Sequence, residues 1–291
     1  MMMQRRLTKK AREYLDRSDE ERIICCKEDV WIGYSGAVTL LELLEDKFND
    51  PKQLRHEGLL IYGDPHNGKT AILRKFYDMH KATLDKVDEN GDTIYEIPIL
   101  YLEAPNSPNE SKLYSYILDQ LCVPHKGTEK VLEKARLVEH YLDKLNTKMI
   151  LIDEIHSALT GNLTKQRAFI NDLKLLSNKL SLTIVLAGTR EAHSALNISG
   201  ETSSRFPSIE LPRWNNDRKF RSFVATYETC LPLKEASNLV KDAEIMSALY
   251  IASEGLIGRT VNLLKKAAVK AIRSGRERIV LEDIEYLPTL S

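Results

Sequence analysis

The sequence predicts an α/β fold, a central parallel sheet with flanking helices, followed by an all-helical C-terminal domain. Three observations predict it. Short apolar runs without charged residues alternate with stretches of helical periodicity. The first run leads into a glycine-rich segment and then an amphipathic helix, the usual way an α/β sheet presents a phosphate site. After Pro212 no further strong strand signal occurs, while helical periodicity continues.

Element by element, residues 36–44 place Ala37, Leu40, Leu41 and Leu44 at helical spacing. Strands are expected at 59–62, 97–102, 149–152 and 182–186, with a weaker one at 208–211. Near-continuous apolar runs suit strands covered on both faces. Between them, helices are expected after Gly68, over 111–121, and over 166–180, where Phe169, Leu173, Leu176 and Leu180 share a face. Beyond Pro212 the helical stretches are 218–227, 239–253 and 258–274. The expected organisation is a basic arm (1–28), an α/β core (29–213) and a C-terminal helical domain (214–291). No repeat or low-complexity stretch occurs.

Composition narrows the function classes. The 291 residues carry 42 Lys+Arg and 42 Asp+Glu, so the formal net charge is zero. That excludes a histone-like coat and a highly charged disordered chain. The longest uncharged run, 30–41, is too short to span a membrane and contains two glycines. The N-terminus has no apolar signal core, so the chain is expected in the cytoplasm. Cys25, Cys26, Cys122 and Cys230 show no metal spacing and read as free thiols. Charge is uneven along the chain: the first 17 residues hold six basic groups (Arg5, Arg6, Lys9, Lys10, Arg12, Arg17) and two acids. That segment is either a solvated, partly helical arm or a contact arm for DNA or a partner.

The chemistry concentrates in three motifs. Gly63, Asp64, Pro65, His66, Asn67, Gly68, Lys69 and Thr70 match G-x-x-x-x-G-K-[ST]. In such a loop, backbone N–H groups turn around phosphate oxygens and the helix N-terminus adds positive potential. Lys69 suits the β- and γ-phosphates of ATP, and the Thr70 hydroxyl suits Mg²⁺. Residues 149–152 then form an apolar strand ending in Asp153 and Glu154. Asp153 suits the Mg²⁺ shell, and Glu154 can polarise a water for attack on the γ-phosphate. The pair favours ATP hydrolysis over a kinase reaction. Thr189 follows the strand ending in Ala187 and Gly188 and can hydrogen-bond the attacking water or the γ-phosphate. His66, His156 and His193 read as packing or loop residues, since no cluster suggests a metal.

In this order (phosphate loop, Asp-Glu strand, polar strand tip, the segment Ser203, Ser204, Arg205 and Phe206, helical lid) the chain resembles the AAA+ ATPases. That resemblance implies that Arg205 is an arginine finger reaching a neighbouring subunit's ATP, with Arg190 as the rival candidate. Arg259, in the segment 254–259, matches the second sensor, which contacts the γ-phosphate. A narrower resemblance, to the TniB group of transposon ATPases with its TnsC-type and MuB-type regulators, rests on several stretches. These are 19–23 with 31–34, 59–63 with 67–70, 152–156 with 161–162, 187–190, and 253–255 with 257–258. It implies an ATPase that assembles as a ring or helical filament on duplex DNA and recruits or activates a transposase together with a target-selection protein. Hydrolysis would disassemble the assembly. Tyr34 would lie near the adenine, and the DNA-facing region would supply Lys112, Lys126 and Lys130. Residues 259–278 carry seven basic groups against one acid and read either as a solvated helix face or as a contact surface.

Rival readings differ in sequence features. A protein remodeller is expected to carry an aromatic pore loop after the second strand, and residues 104–108 contain no aromatic residue. A helicase loader or initiator is the closer rival; an initiator is expected to add a DNA-reading domain, and the residues 281–291 that remain are too few for one. A nucleotide-binding signalling switch would not need Glu154 or Arg205.

Overall fold

The computed structural model describes residues 7–51, 56–87, 91, 93–197 and 204–285. In chain order its elements begin with helices α1 (Lys9–Tyr14), α2 (Asp19–Lys27) and α3 (Ser35–Phe48). Strand β1 (Leu59–Tyr62), helix α4 (Lys69–Met79), strands β2 (Thr83–Val87), β3 (Thr93–Glu96) and β4 (Ile99–Glu103), and helices α5 (Glu110–Gln120) and α6 (Val131–Lys144) follow. Next come β5 (Met149–Asp153), a 3-10 turn (Ile155–Leu159), α7 (Leu163–Leu180), β6 (Thr183–Gly188), α8 (Arg190–Leu196) and β7 (Ser208–Glu210). The last are α9 (Arg218–Glu228), a 3-10 turn (Leu239–Lys241), α10 (Ala243–Ser253), α11 (Ile257–Arg273) and α12 (Leu281–Glu285).

These elements divide into two compact units. One comprises residues 35–65 and 69–211; the other comprises 1–34, 66–68 and 212–291. In the first unit five strands form one wholly parallel sheet in the order β4-β5-β6-β1-β7. The register sets Tyr62 beside Gly188, Ile152 beside Leu186, and Glu103 beside Asp153. The C-terminal ends of β1, β4, β5 and β6 are therefore level, and whatever follows them shares one edge of the sheet. Strands β5 and β6 are buried throughout, which explains their unbroken apolar runs. On one face Leu60, Leu102, Ile152 and Ile184 pack with Leu113, Ile117, Val138, Phe169 and Leu173 of α5, α6 and α7. Helix α4 lies against β4, β5 and β6 and buries Ile72, Leu73 and Phe76. The α/β architecture expected from the apolar runs is present.

The second unit is all-helical. Phe220, Phe223, Tyr227, Met246, Leu249, Leu264, Ala268 and Ile272 form its core. Asp242 caps α10 by accepting from the N–H groups of Glu244 (3.0 Å) and Ile245 (3.1 Å). This cap breaks the single helix expected over 239–253 into a 3-10 turn and a helix. Residues 9–27, expected as part of an arm, form α1 and α2 within this unit. Ser18 and Glu21 close a capping box at the start of α2. Arg22 is wholly buried and donates to both carboxylate oxygens of Glu277 (2.7 and 2.5 Å), to Asp19 (2.9 Å) and to the Pro232 carbonyl (3.1 Å). Arg5 and Arg6 lie outside the described residues.

Helix α6, helix α8 and the antiparallel β2–β3 pair lie outside the sequence expectation. In α6 the buried stripe is only Lys134, Val138 and Leu142, and its first member is a lysine. Among the described residues no helix is long and apolar enough to cross a membrane.

Candidate nucleotide site

Each strand end carries one part of the site. Gly63 follows β1 and opens the loop that runs into α4. Gly68 has φ +88°, a left-handed backbone that only glycine adopts cheaply. Lys69 is the first residue of α4 and is 6% exposed. Its ammonium donates to the carbonyls of Gly63 (3.0 Å) and Asp64 (2.8 Å), folding back over the loop. Burial lowers its pKa from the usual lysine range, and the nearby charges of Glu154, Asp153 and Asp64 oppose that shift. Lys69 is thus a buried cation facing the acids at the end of β5. Thr70, one residue on, is half-buried.

Asp153 ends β5 and is 1% exposed. One carboxylate oxygen accepts from the Tyr101 phenol (3.0 Å), the other from the Glu154 N–H (2.9 Å). These bonds satisfy an anion that burial would otherwise penalise. They fix the carboxylate by its edges and hold its orientation. Glu154 takes a left-handed backbone (φ 53°), which turns it out of the strand line. Its Oε2 lies 3.1 Å from His156 Nδ1. Thr189 follows β6 and caps α8 with no side-chain hydrogen bond to the helix backbone; its side chain meets that of Glu191. Lys69, Thr70, Asp153, Glu154 and Thr189 thus occupy one edge of one unit.

The two arginines separate. Arg205 is 3% exposed and donates to the Asn178 side-chain oxygen. Its side chain is buried within its own unit. Arg190 is half exposed but paired, 3.4 Å from Asp64 and 2.6 Å from Glu210. It ties the first turn of the phosphate loop to β7. Ser203, beside the Arg205 segment, lies outside the described residues.

The helical unit carries the remaining candidates, including His66, Asn67 and Gly68 of the loop itself. Asn67 donates to the Pro212 carbonyl (2.9 Å), and the Gly258 N–H donates to the His66 carbonyl (2.8 Å). A Cβ on Gly258 would sit 2.6 Å from that carbonyl, so the approach requires glycine. Arg259, next in sequence, pairs with Glu254, which also meets Arg213 at 3.3 Å. Tyr34 packs edge-on against Trp214, with ring centres 4.8 Å apart. Its hydroxyl is buried with no hydrogen-bond partner, and burial pushes its pKa up to about 12.

Lys112, Lys126 and Lys130 are all exposed. Lys112 donates to Asn106 (3.1 Å). Of the seven basic residues in 259–278, Arg259, Lys265, Lys270, Arg276 and Arg278 each have an acidic partner. Most of that charge is therefore spent inside the unit, which favours the solvated-face reading.

Sequence reasoning missed Tyr101 and Lys134, and it named His156 and Arg190 without the partners they meet here. Tyr101 orients Asp153, His156 neighbours Glu154, and Arg190 braces Asp64. Lys134 is 2% exposed and donates to Ser111 (3.2 Å), Ser115 (3.0 Å) and the Gly127 carbonyl (3.1 Å). Only Tyr101 left a signal, as a phenol interrupting an aliphatic strand near its end. Among the described residues no His, Cys, Asp and Glu cluster has metal-binding form.

With this geometry in place, comparison adds three findings. A family model described as "Bacterial TniB protein" matches residues 22–216. No curated protein matches the sequence. Among solved structures, Cdc6p from Pyrobaculum aerophilum is 16% identical, with a TM-score of 0.64 over 91% of this chain and 69% of that one. The Aeropyrum pernix ORC1 protein in complex with DNA is 17% identical, with a TM-score of 0.65 over 90% and 67%. The Aeropyrum pernix ORC2 protein, solved as ADPNP-ADP complexes, is 16% identical, with a TM-score of 0.61 over 89% and 69%. The chain therefore has the AAA+ fold of these proteins.

Proposed function

The chain belongs to the TniB family, and from that premise we propose that it is an ATP-hydrolysing regulator of DNA transposition. In this reading it assembles on duplex target DNA in the cytoplasm as a ring or filament, recruits or activates a transposase with a target-selection protein, and is released by hydrolysis. The observation that carries the ATPase reading is the meeting of buried Lys69 with Asp153 and Glu154 at one sheet edge.

The residues present fit ATP with Mg²⁺. A left-handed Gly68 ends the loop, and a buried ammonium stands ready for phosphate. Thr70 and Asp153 offer the hard oxygen donors that Mg²⁺ prefers. The unpartnered Tyr34 hydroxyl is the kind of buried polar atom that a bound ligand satisfies. Bound MgATP supplies the phosphoanhydride bond that is cleaved. Lys69 gives up its two loop carbonyls and holds phosphate oxygens. Asp153, fixed by Tyr101, orients the metal's shell. Glu154 accepts a proton from the attacking water, and Thr189 positions that water. Arg259 serves as the second sensor. Arg205 can act as a finger only after leaving Asn178, so Arg190 is the more accessible of the two candidates.

Zero net charge limits what one subunit can hold. Lys112, Lys126 and Lys130 offer a few phosphate contacts per subunit, enough for DNA only when many subunits act together. Such backbone contacts read little sequence, as marking a target requires. The test is nucleotide binding and turnover, with and without duplex DNA. Expected are ATP binding, turnover that responds to DNA, and loss of binding in Lys69→Ala. Unchanged nucleotide affinity in Lys69→Ala would overturn the assignment.

A further inference from the structure

Away from the phosphate loop, α4, β4 and α5 enclose an open cleft of about 490 Å³. Its aromatic wall is Tyr77, Tyr101 and Tyr116, with the first two rings 6.1 Å apart and the third 39% exposed. Its charged rim is Asp78, Glu103 and Asp119, against the single guanidinium of Arg74. Lys81 lies 3.8 Å from Asp78, and His125 lies 3.8 Å from Asp119.

We propose that this cleft is a receptor for a cationic side chain, presented by a basic segment of a partner protein. Tyrosine faces attract cations through the negative potential of the ring, and carboxylates beside them add a charged partner. The cleft already shows this chemistry once, because the Arg74 guanidinium lies 5.2 Å from the centre of the Tyr101 ring. A nucleic acid suits the cleft poorly: its phosphates would meet three lining carboxylates against the guanidinium of Arg74, with Lys81 beside Asp78 at the margin. The rim therefore selects against DNA and for a basic peptide. Occupancy also touches the nucleotide site, since the Tyr101 phenol donates to Asp153 (3.0 Å). The binding proposal itself stands independently of the ATPase reading.

The test is fluorescence anisotropy of a labelled Gly-Arg-Gly-Arg-Gly peptide against the intact chain at low salt. Neutralising the rim (Asp78→Asn, Glu103→Gln, Asp119→Asn) is expected to weaken binding by about tenfold or more. Neutralising three exposed acids elsewhere (Glu20→Gln, Glu42→Gln, Asp143→Asn) is expected to leave binding within about twofold. Tyr116→Ala, a single change at an exposed side chain, is expected to weaken binding by about threefold and keeps the test usable if the triple variant misfolds. Equal losses from the rim and control sets would overturn the proposal. So would displacement of the peptide from the cleft by a short single-stranded DNA.

Discussion

At the residue scale the decisive group is Glu154. Its left-handed backbone turns it from the end of β5, while Asp153 remains buried and doubly hydrogen-bonded. Two adjacent carboxylates thus have different surroundings, one buried and held by two hydrogen bonds, the other partly exposed. Glu154→Gln keeps the shape and removes the base. It is expected to bind ATP and to lose about a hundredfold or more in turnover, measured by phosphate release. Normal turnover would remove Glu154 from the chemistry. A second carboxylate responds to pH in the opposite sense from most acids. Asp172, on α7, has its pKa pushed up to about 7 by burial and then by Glu110. Its folded pKa exceeds the ordinary 3.8, so its stabilising contribution is full below that value and is lost as pH rises through about 7. Asp172→Asn is therefore expected to raise the melting temperature near pH 8 by about 2–4 °C, and much less near pH 5. An equal effect at both pH values would contradict the shift.

At the element scale, two buried cations hold segments in place. Arg22 anchors α2 to Glu277 with no exposed surface of its own. Arg22→Met leaves Glu277 without its main partner and is expected to cost about 3–5 kcal/mol by denaturant unfolding. The pair also sets an acid limit. Glu277's pKa is lowered from 4.5, chiefly by the Arg22 hydrogen bonds. Its contribution is therefore present above 4.5 and is lost as pH falls through the lower folded value. Lys134 pins α6 to the Gly127 turn and to Ser111 and Ser115 of α5. Lys134→Met is expected to cost about 1–3 kcal/mol and to speed amide exchange over 121–130, the segment bearing Lys126 and Lys130. Unchanged exchange there would show that the turn holds itself. These elements also show what a sequence conceals. Strands β1, β5 and β6 were legible because burial on both faces keeps all but their end residues apolar. Helix α6 was not, because a lysine occupies its buried stripe and meets neutral oxygens that only the fold brings near. Lys69, Asp153 and Glu154, which the fold brings to one sheet edge, were legible because each stands in a short local motif. Tyr101, and the pairing of Arg190 with Asp64, were not, because the partners, Asp153 and Asp64, are remote in sequence.

At the scale of the whole molecule, charge is the governing quantity. A chain with 42 basic and 42 acidic residues cannot hold DNA by bulk attraction. The basic segment 259–278 also spends most of its charge on internal partners. DNA binding should therefore be weak for single subunits and steeply salt-dependent once ATP joins many of them. The most direct test is electron microscopy of the protein mixed with duplex DNA, with and without a non-hydrolysable ATP analogue. The account predicts ordered rings or filaments on the DNA only with the analogue, and none from Lys69→Ala. Bare DNA under both conditions, or identical assemblies without nucleotide, would contradict it.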